Sequence, residues 1–215
     1  MELISTFIDV VLNLDRHLQW LVANYGLWIY AILFLIIFCE TGLVVTPFLP
    51  GDSLLFAVGA LAAVDTSGTL QAPLASVVLG AAAVLGNITN YSIGRAIGPP
   101  AFSGRHRFLK VEYLHRTEAF FARHGAMAIA LSRFMPIIRT CAPFVAGVGR
   151  MPYPRFLAWN LLGGFAWVLL FVWGGYLFGN IPLVKQNFGV VTLCIVALSL
   201  VPLALALLRR PRSAA

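Results

Sequence analysis

Apolar residues in this chain come in long runs, and the residues that break those runs carry more information than the runs do. From 28 to 39 the sequence is continuously apolar; Glu40, Gly42, Pro47, Pro50, Gly51 and Asp52 follow, and a second apolar run extends from Leu54 to Val64. Each arm is about 12 residues, roughly 18 Å of helix, whereas a bilayer core is about 30 Å and needs about 20 residues. Neither arm crosses alone. The prolines make a continuous helix costly, because each removes a backbone donor and clashes with the preceding turn. The pattern predicts a re-entrant hairpin turning at Pro47, Pro50 and Gly51. A second broken stretch, 125–149, holds Arg133, Pro136, Arg139 and Pro143, and its prolines predict a second hairpin turn.

Three runs are unbroken, 74–96, 156–179 and 188–208, and each is predicted to span. Two segments have helical periodicity with a polar face. In 2–25, Leu3, Phe7, Val10, Leu14, Leu18 and Leu21 share one side, opposite Asp9, Asn13, Arg16 and His17, as in a helix lying in the interface plane. In 105–124, Leu109, Tyr113, Leu114, Phe120 and Phe121 lie away from Arg105, Glu112, Arg116 and Arg123. The expected fold is an all-α polytopic membrane protein. Its single domain, 1–215, is an inverted repeat of amphipathic helix, re-entrant helical hairpin and transmembrane helix (about 2–98 and 105–179), with a C-terminal transmembrane helix at 188–208.

Composition agrees. The chain of 215 residues is 60% hydrophobic and 11% charged, against about 25% charged in soluble domains. The net charge of +7 is concentrated at 105–123 and 209–212, which suits cytoplasmic loops beside anionic lipid and gives no basic face for nucleic acid. With both segments cytoplasmic, the number of crossings between them is even. Three apolar segments lie between them, so one does not cross; the stretch bearing two arginines and two prolines is that one. The C-terminus is then cytoplasmic. The residues before 10 lack a basic leader region. Cys39, Cys141 and Cys194 have no metal-ligand spacing, and no Ser-His-Asp, zinc or paired-acid hydrolase pattern is present. No enzyme activity, metal or cofactor is expected.

The small residues Gly80, Ala81, Ala82, Ala83, Gly86, Gly94 and Gly98 predict close packing of 74–98, compatible with a homo-oligomer and equally with packing inside one chain. Asn87, Asn90 and Tyr91 give that helix a polar stripe suited to interhelical hydrogen bonds. Trp159, Trp167 and Trp173 are read as packing or belt residues.

Three motifs stand in order: ETG…P-x-LPGD at 40–52, GN-x-x-x-Y-x-x-GR at 86–95, and F-x-RHG…SRF-x-P-x-x-RT…AG at 121–147. Together they resemble the DedA family of bacterial membrane proteins, relatives of the scramblases with a VTT domain. The resemblance implies transport across the bacterial inner membrane of a polyprenyl-phosphate carrier lipid such as undecaprenyl phosphate, or of phospholipid, in several members driven by the proton motive force. It carries the family's required acids and arginines onto Glu40, Asp52, Arg133 and Arg139.

Read chemically, Arg133 and Arg139 offer planar forks of donors matched to a lipid phosphate. Glu40 and Asp52 are candidates for proton coupling, since a carboxylate that loses an arginine partner can take a proton instead. Other readings stand beside this one: a proton-coupled small-ion or drug antiporter, and two buried ion pairs that only lock the hairpins together.

Overall fold

A computed structural model describes residues 20–22, 24–42, 51–97, 111–178 and 181–182. Residues 2–19 of the interface helix predicted over 2–25, the turn at Pro47 and Pro50, the start of the basic segment at 105–110, the C-terminal span 188–208 and the arginines at 209–212 lie outside the described residues. Within them the chain is helical, with no strand: α1 (Trp28–Gly42), α2 (Gly51–Ala62), α3 (Ala72–Ile97), α4 (Val111–His124), α5 (Ala128–Ser132), α6 (Pro136–Val148) and α7 (Tyr153–Phe178).

Two helices, α3 and α7, are long and apolar enough to cross a bilayer; 26 residues each make about 39 Å. They run antiparallel. Side-chain or backbone pairs descend in register from Gly80–Phe165 and Val84–Gly164 through Asn87–Asn160 to Tyr91–Phe156, whose rings stack 4.3 Å apart. Their outward faces are apolar: Leu162, Leu170 and Leu177 are 62%, 59% and 63% exposed, a stripe recurring every seven or eight residues. Apolar area of this extent on the outside of a helix pair marks a surface made for lipid.

The four shorter arms are shared between the two long helices. Arm α1 packs on α3 and α5 on α7, while α2 packs on α7 and α6 on α3. Each long helix therefore carries one arm from its own half of the chain and one from the other. Arm α1 starts where the Tyr30 hydroxyl accepts from the Gln71 backbone N–H at 2.8 Å, and ends where Gly42 lies against Gly86, past the midpoint of α3. Arm α2 begins beside Trp167 and finishes beside Gly175 near the end of α7. In mirror fashion α6 begins near Asn90 and finishes with Gly147 against Arg95 in the last turn of α3. Both hairpins thus dip from opposite ends and meet halfway.

The crossings need glycine. A methyl on Gly59 or Gly175 would overlap the facing backbone of α7 or α2, and one on Gly94 or Gly147 that of α6 or α3. Small residues at such points allow backbones to touch where no hydrophobic drive acts between helices in lipid.

Arm α1 runs through Glu40 to Gly42, and the Thr41 hydroxyl donates to Ile37 O at 2.8 Å. Two expectations change. Gly51 opens α2 instead of lying in the turn before it. Pro143 is inside α6, not at the hairpin turn. The turn occupies 133–135; its last residue, Met135, is extended (φ −125°, ψ 105°) and Pro136 takes the first position of α6, the two conformations that a proline imposes on its predecessor and itself. Pro143 is tolerated because it lies buried in protein, where neighbouring helices accommodate the interrupted ladder.

Candidate functional site

The hairpin tips bring acids to a base. Glu40 ends α1, Asp52 starts α2, and Arg139 lies one turn into α6. The Arg139 Nη2 donates to Glu40 Oε1 at 2.5 Å and its Nη1 to Asp52 Oδ1 at 2.9 Å. One guanidinium thus bridges both arms of the other hairpin. Trp167 of α7 donates its indole N–H to the same Asp52 Oδ1 at 2.9 Å, and the Arg139 guanidinium lies 5.2 Å from its ring. Trp167, read from sequence as packing or belt, is fully buried and part of the site.

Local sequence explains the approach. A Cβ on Gly51 would overlap Glu40 Oε2, so only glycine lets the Glu40 carboxylate reach the start of α2. There the helix dipole favours negative charge, and Asp52 occupies the same first turn. Asn90 of α3 ties the tips together: its Nδ2 donates to Thr140 O at 2.9 Å and Thr41 O at 3.4 Å, the residues next to Arg139 and Glu40. Asn87 and Asn90 of the polar stripe on α3 make interhelical hydrogen bonds, whereas the Tyr91 hydroxyl donates to Met151 O in the connection between α6 and α7 at 2.5 Å.

Arg133 is placed differently. It is 1% exposed and touches neither carboxylate among the described residues. Its Nη2 donates to Ala83 O at 3.1 Å and Asn160 Oδ1 at 2.8 Å, and it lies 5.8 Å from the Trp167 ring. Asn160 itself donates to Val84 O at 3.0 Å and accepts from Asn87 at 3.0 Å. Sequence reasoning missed Asn160; it read Trp167 as packing or belt, and the structure shows the packing together with a hydrogen bond to Asp52. Asn160 did leave a signal, as the single amide within the apolar run from 156 to 178.

Of the sequence-derived site residues, the structure joins Glu40, Asp52 and Arg139 directly and sets Arg133 beside them across one indole ring. Among the described residues no group of His, Cys, Asp and Glu could hold a metal ion.

Helical arms that stop at mid-depth, lipid-facing spans and ionised groups buried between them define an all-α integral membrane protein. The VTT domain family model matches residues 49–177. Over the full chain and 98% of the relative's length it is 49% identical to Protein DedA of Escherichia coli K12. An uncharacterized membrane protein of Mycobacterium tuberculosis H37Rv is 42% identical over 92% of this chain and 88% of its own. Inner membrane protein YghB of Escherichia coli K12 is 37% identical over 74% and 72%. The chain belongs to the DedA family. No solved structure matches it.

Proposed function

We propose that the protein is a lipid transporter of the bacterial inner membrane, which moves a phosphate-bearing lipid, a polyprenyl phosphate or a phospholipid, across the bilayer and draws on the proton motive force. The observation that carries this reading is the bridge from Arg139 to Glu40 and Asp52, four-fifths or more buried and halfway along the spans. Ionisable groups at that depth cost about 2.5–3.5 kcal/mol each on insertion scales, and they mark ion and substrate routes.

The bridge is a device for exchange. A lipid phosphate entering hydrocarbon needs charged donors, and arginine supplies them in a fork that fits its oxygens. When phosphate takes Arg139, Glu40 or Asp52 loses its partner and becomes free to bind a proton. When the proton leaves, the carboxylate reclaims the arginine and phosphate is released. A charge crossing the membrane field is worth about 2.3 kcal/mol per 100 mV, enough to bias direction more than tenfold.

Vesicles reconstituted with the protein and a fluorescent prenyl phosphate in one leaflet test this. Movement to the other leaflet is expected to accelerate with an imposed proton gradient and to lose that response in Glu40→Gln. Transport by Glu40→Gln with an undiminished response to an uncoupler would remove the coupling. Ion exchange without lipid movement would replace this reading with an antiporter.

A further inference from the structure

Arg133 and Arg139 share one core and are used in opposite ways. Arg139 holds both acids; Arg133 holds neither. The two hydrogens on Arg133 Nη2 go to Ala83 O and Asn160 Oδ1, while Nε and Nη1 are buried and have no protein partner among the described residues. Three of the five N–H donors of a guanidinium are on those two nitrogens. A buried, ionised group with open donors is costly, so its persistence implies a use.

Asn160 fixes this arrangement. Its amide cannot turn, because Oδ1 accepts from both Arg133 and Asn87 while Nδ2 donates to Val84 O. Gly164, one turn on, makes room: a Cβ there would come 3.2 Å from Arg133 Nη2. An asparagine suits the position because a neutral acceptor orients the guanidinium without cancelling its charge.

We propose that Asn160 is a positioning residue that holds Arg133 clear of the two carboxylates, so that Arg133 Nε and Nη1 receive the phosphate oxyanion first and Arg139 releases its acids only afterwards. This order rests on the lipid-phosphate reading above. It assigns recognition to Arg133 and coupling to Arg139, two roles for the two arginines of one hairpin.

The order is measurable in wild-type protein labelled with ¹⁵N-arginine in detergent micelles, titrated with a short-chain prenyl monophosphate against the uncharged prenol. The Arg133 Nε resonance is expected to shift at lower probe concentration than that of Arg139. An Arg139 signal that moves first, or both moving together, overturns the proposal. In Asn160→Asp a carboxylate takes over the acceptor and pairs with Arg133. Probe affinity is expected to fall about tenfold or more, the scale of one lost charge-assisted contact, with Tm at or above wild type. Wild-type affinity in a folded Asn160→Asp also overturns it. If that variant does not fold, the order of resonances in the wild type decides. A wild-type protein that responds to neither prenyl phosphate nor phosphatidylglycerol vesicles sinks the lipid-phosphate reading and this inference together. An equal response to inorganic phosphate keeps the role of Arg133 and overturns the lipid as its source.

Discussion

At the scale of single residues, the bridge at Arg139 is held by what surrounds it as much as by its charges. Desolvating an ion pair offsets most of its attraction, yet removing one partner leaves the other charge buried and alone, at a cost of about 3–5 kcal/mol. Arg139→Ala is therefore expected to lower stability by that amount in thermal unfolding in micelles, and Arg139→Met combined with Glu40→Leu by less than Arg139→Ala alone. A double variant worse than the single one contradicts the pairing. Asp65, in the polar loop between α2 and α3, obeys a simpler rule. Its Oδ2 accepts from the Leu70 N–H at 2.7 Å and its Oδ1 from the Ser67 hydroxyl at 2.6 Å. These bonds, the Leu70 N–H foremost, favour the carboxylate and hold it below its ordinary 3.8. Because the folded value is the lower one, the loop's contribution to stability is present above about pH 4 and lost as pH falls through the folded value. The Asp65 carboxyl carbon is expected to titrate by NMR with a midpoint under 3.8; a midpoint at or above that value means the loop does not form.

Between helices the sequence was most legible where a residue type had one physical use. The interrupted runs announced two hairpins, and the glycines of α3 announced close packing. Glu40, Asp52 and Arg139 stood out because a charge inside an apolar run is too costly to keep without a partner or a task. Less legible was anything that depends on a partner from the other half of the chain. Pro143 looked like a turn signal because periodicity cannot tell a buried helix that absorbs a proline from a loop that needs one. Trp167 was legible as packing, but its hydrogen bond was not, because its indole partner, Asp52, lies 115 positions away. Arg150 shows the same limit at a helix end. It takes φ 52° in the place where glycine usually closes a helix, with Met151 N–H donating to Ala146 O and Arg150 N–H to Gly147 O, although a glycine, Gly149, stands next to it. The helix crossings give the prediction at this scale. Gly175→Leu drives a side chain into the α2 backbone at Phe56 and Ala60, and is expected to lower stability by about 1–3 kcal/mol or more, read from the thermal midpoint. An unchanged midpoint means α2 and α7 are not in contact.

The whole molecule is polar from end to end. Arg95, Arg150 and Arg155 are exposed where α3 and α6 finish and α7 starts, and the loop bearing Asp65 is at the other end. Positive charge is retained on the cytoplasmic side, so the expected orientation places the Arg150 end in the cytoplasm and Ser67 outside. Single cysteines at Ser67 and Arg155, probed with an impermeant thiol reagent on whole cells, are expected to label at Ser67 alone. Labelling reversed between them inverts this orientation.

The exchange of arms between the long helices bears on how the protein is made. Arm α2 finds its seat on α7, which the ribosome synthesises about a hundred residues later. Until then Asp52 has no indole, and until α6 is made both acids lack Arg139. The buried charge site is therefore completed only once α7 is in place, and a chain cut short before Tyr153 lacks both the seat of α2 and the indole that donates to Asp52.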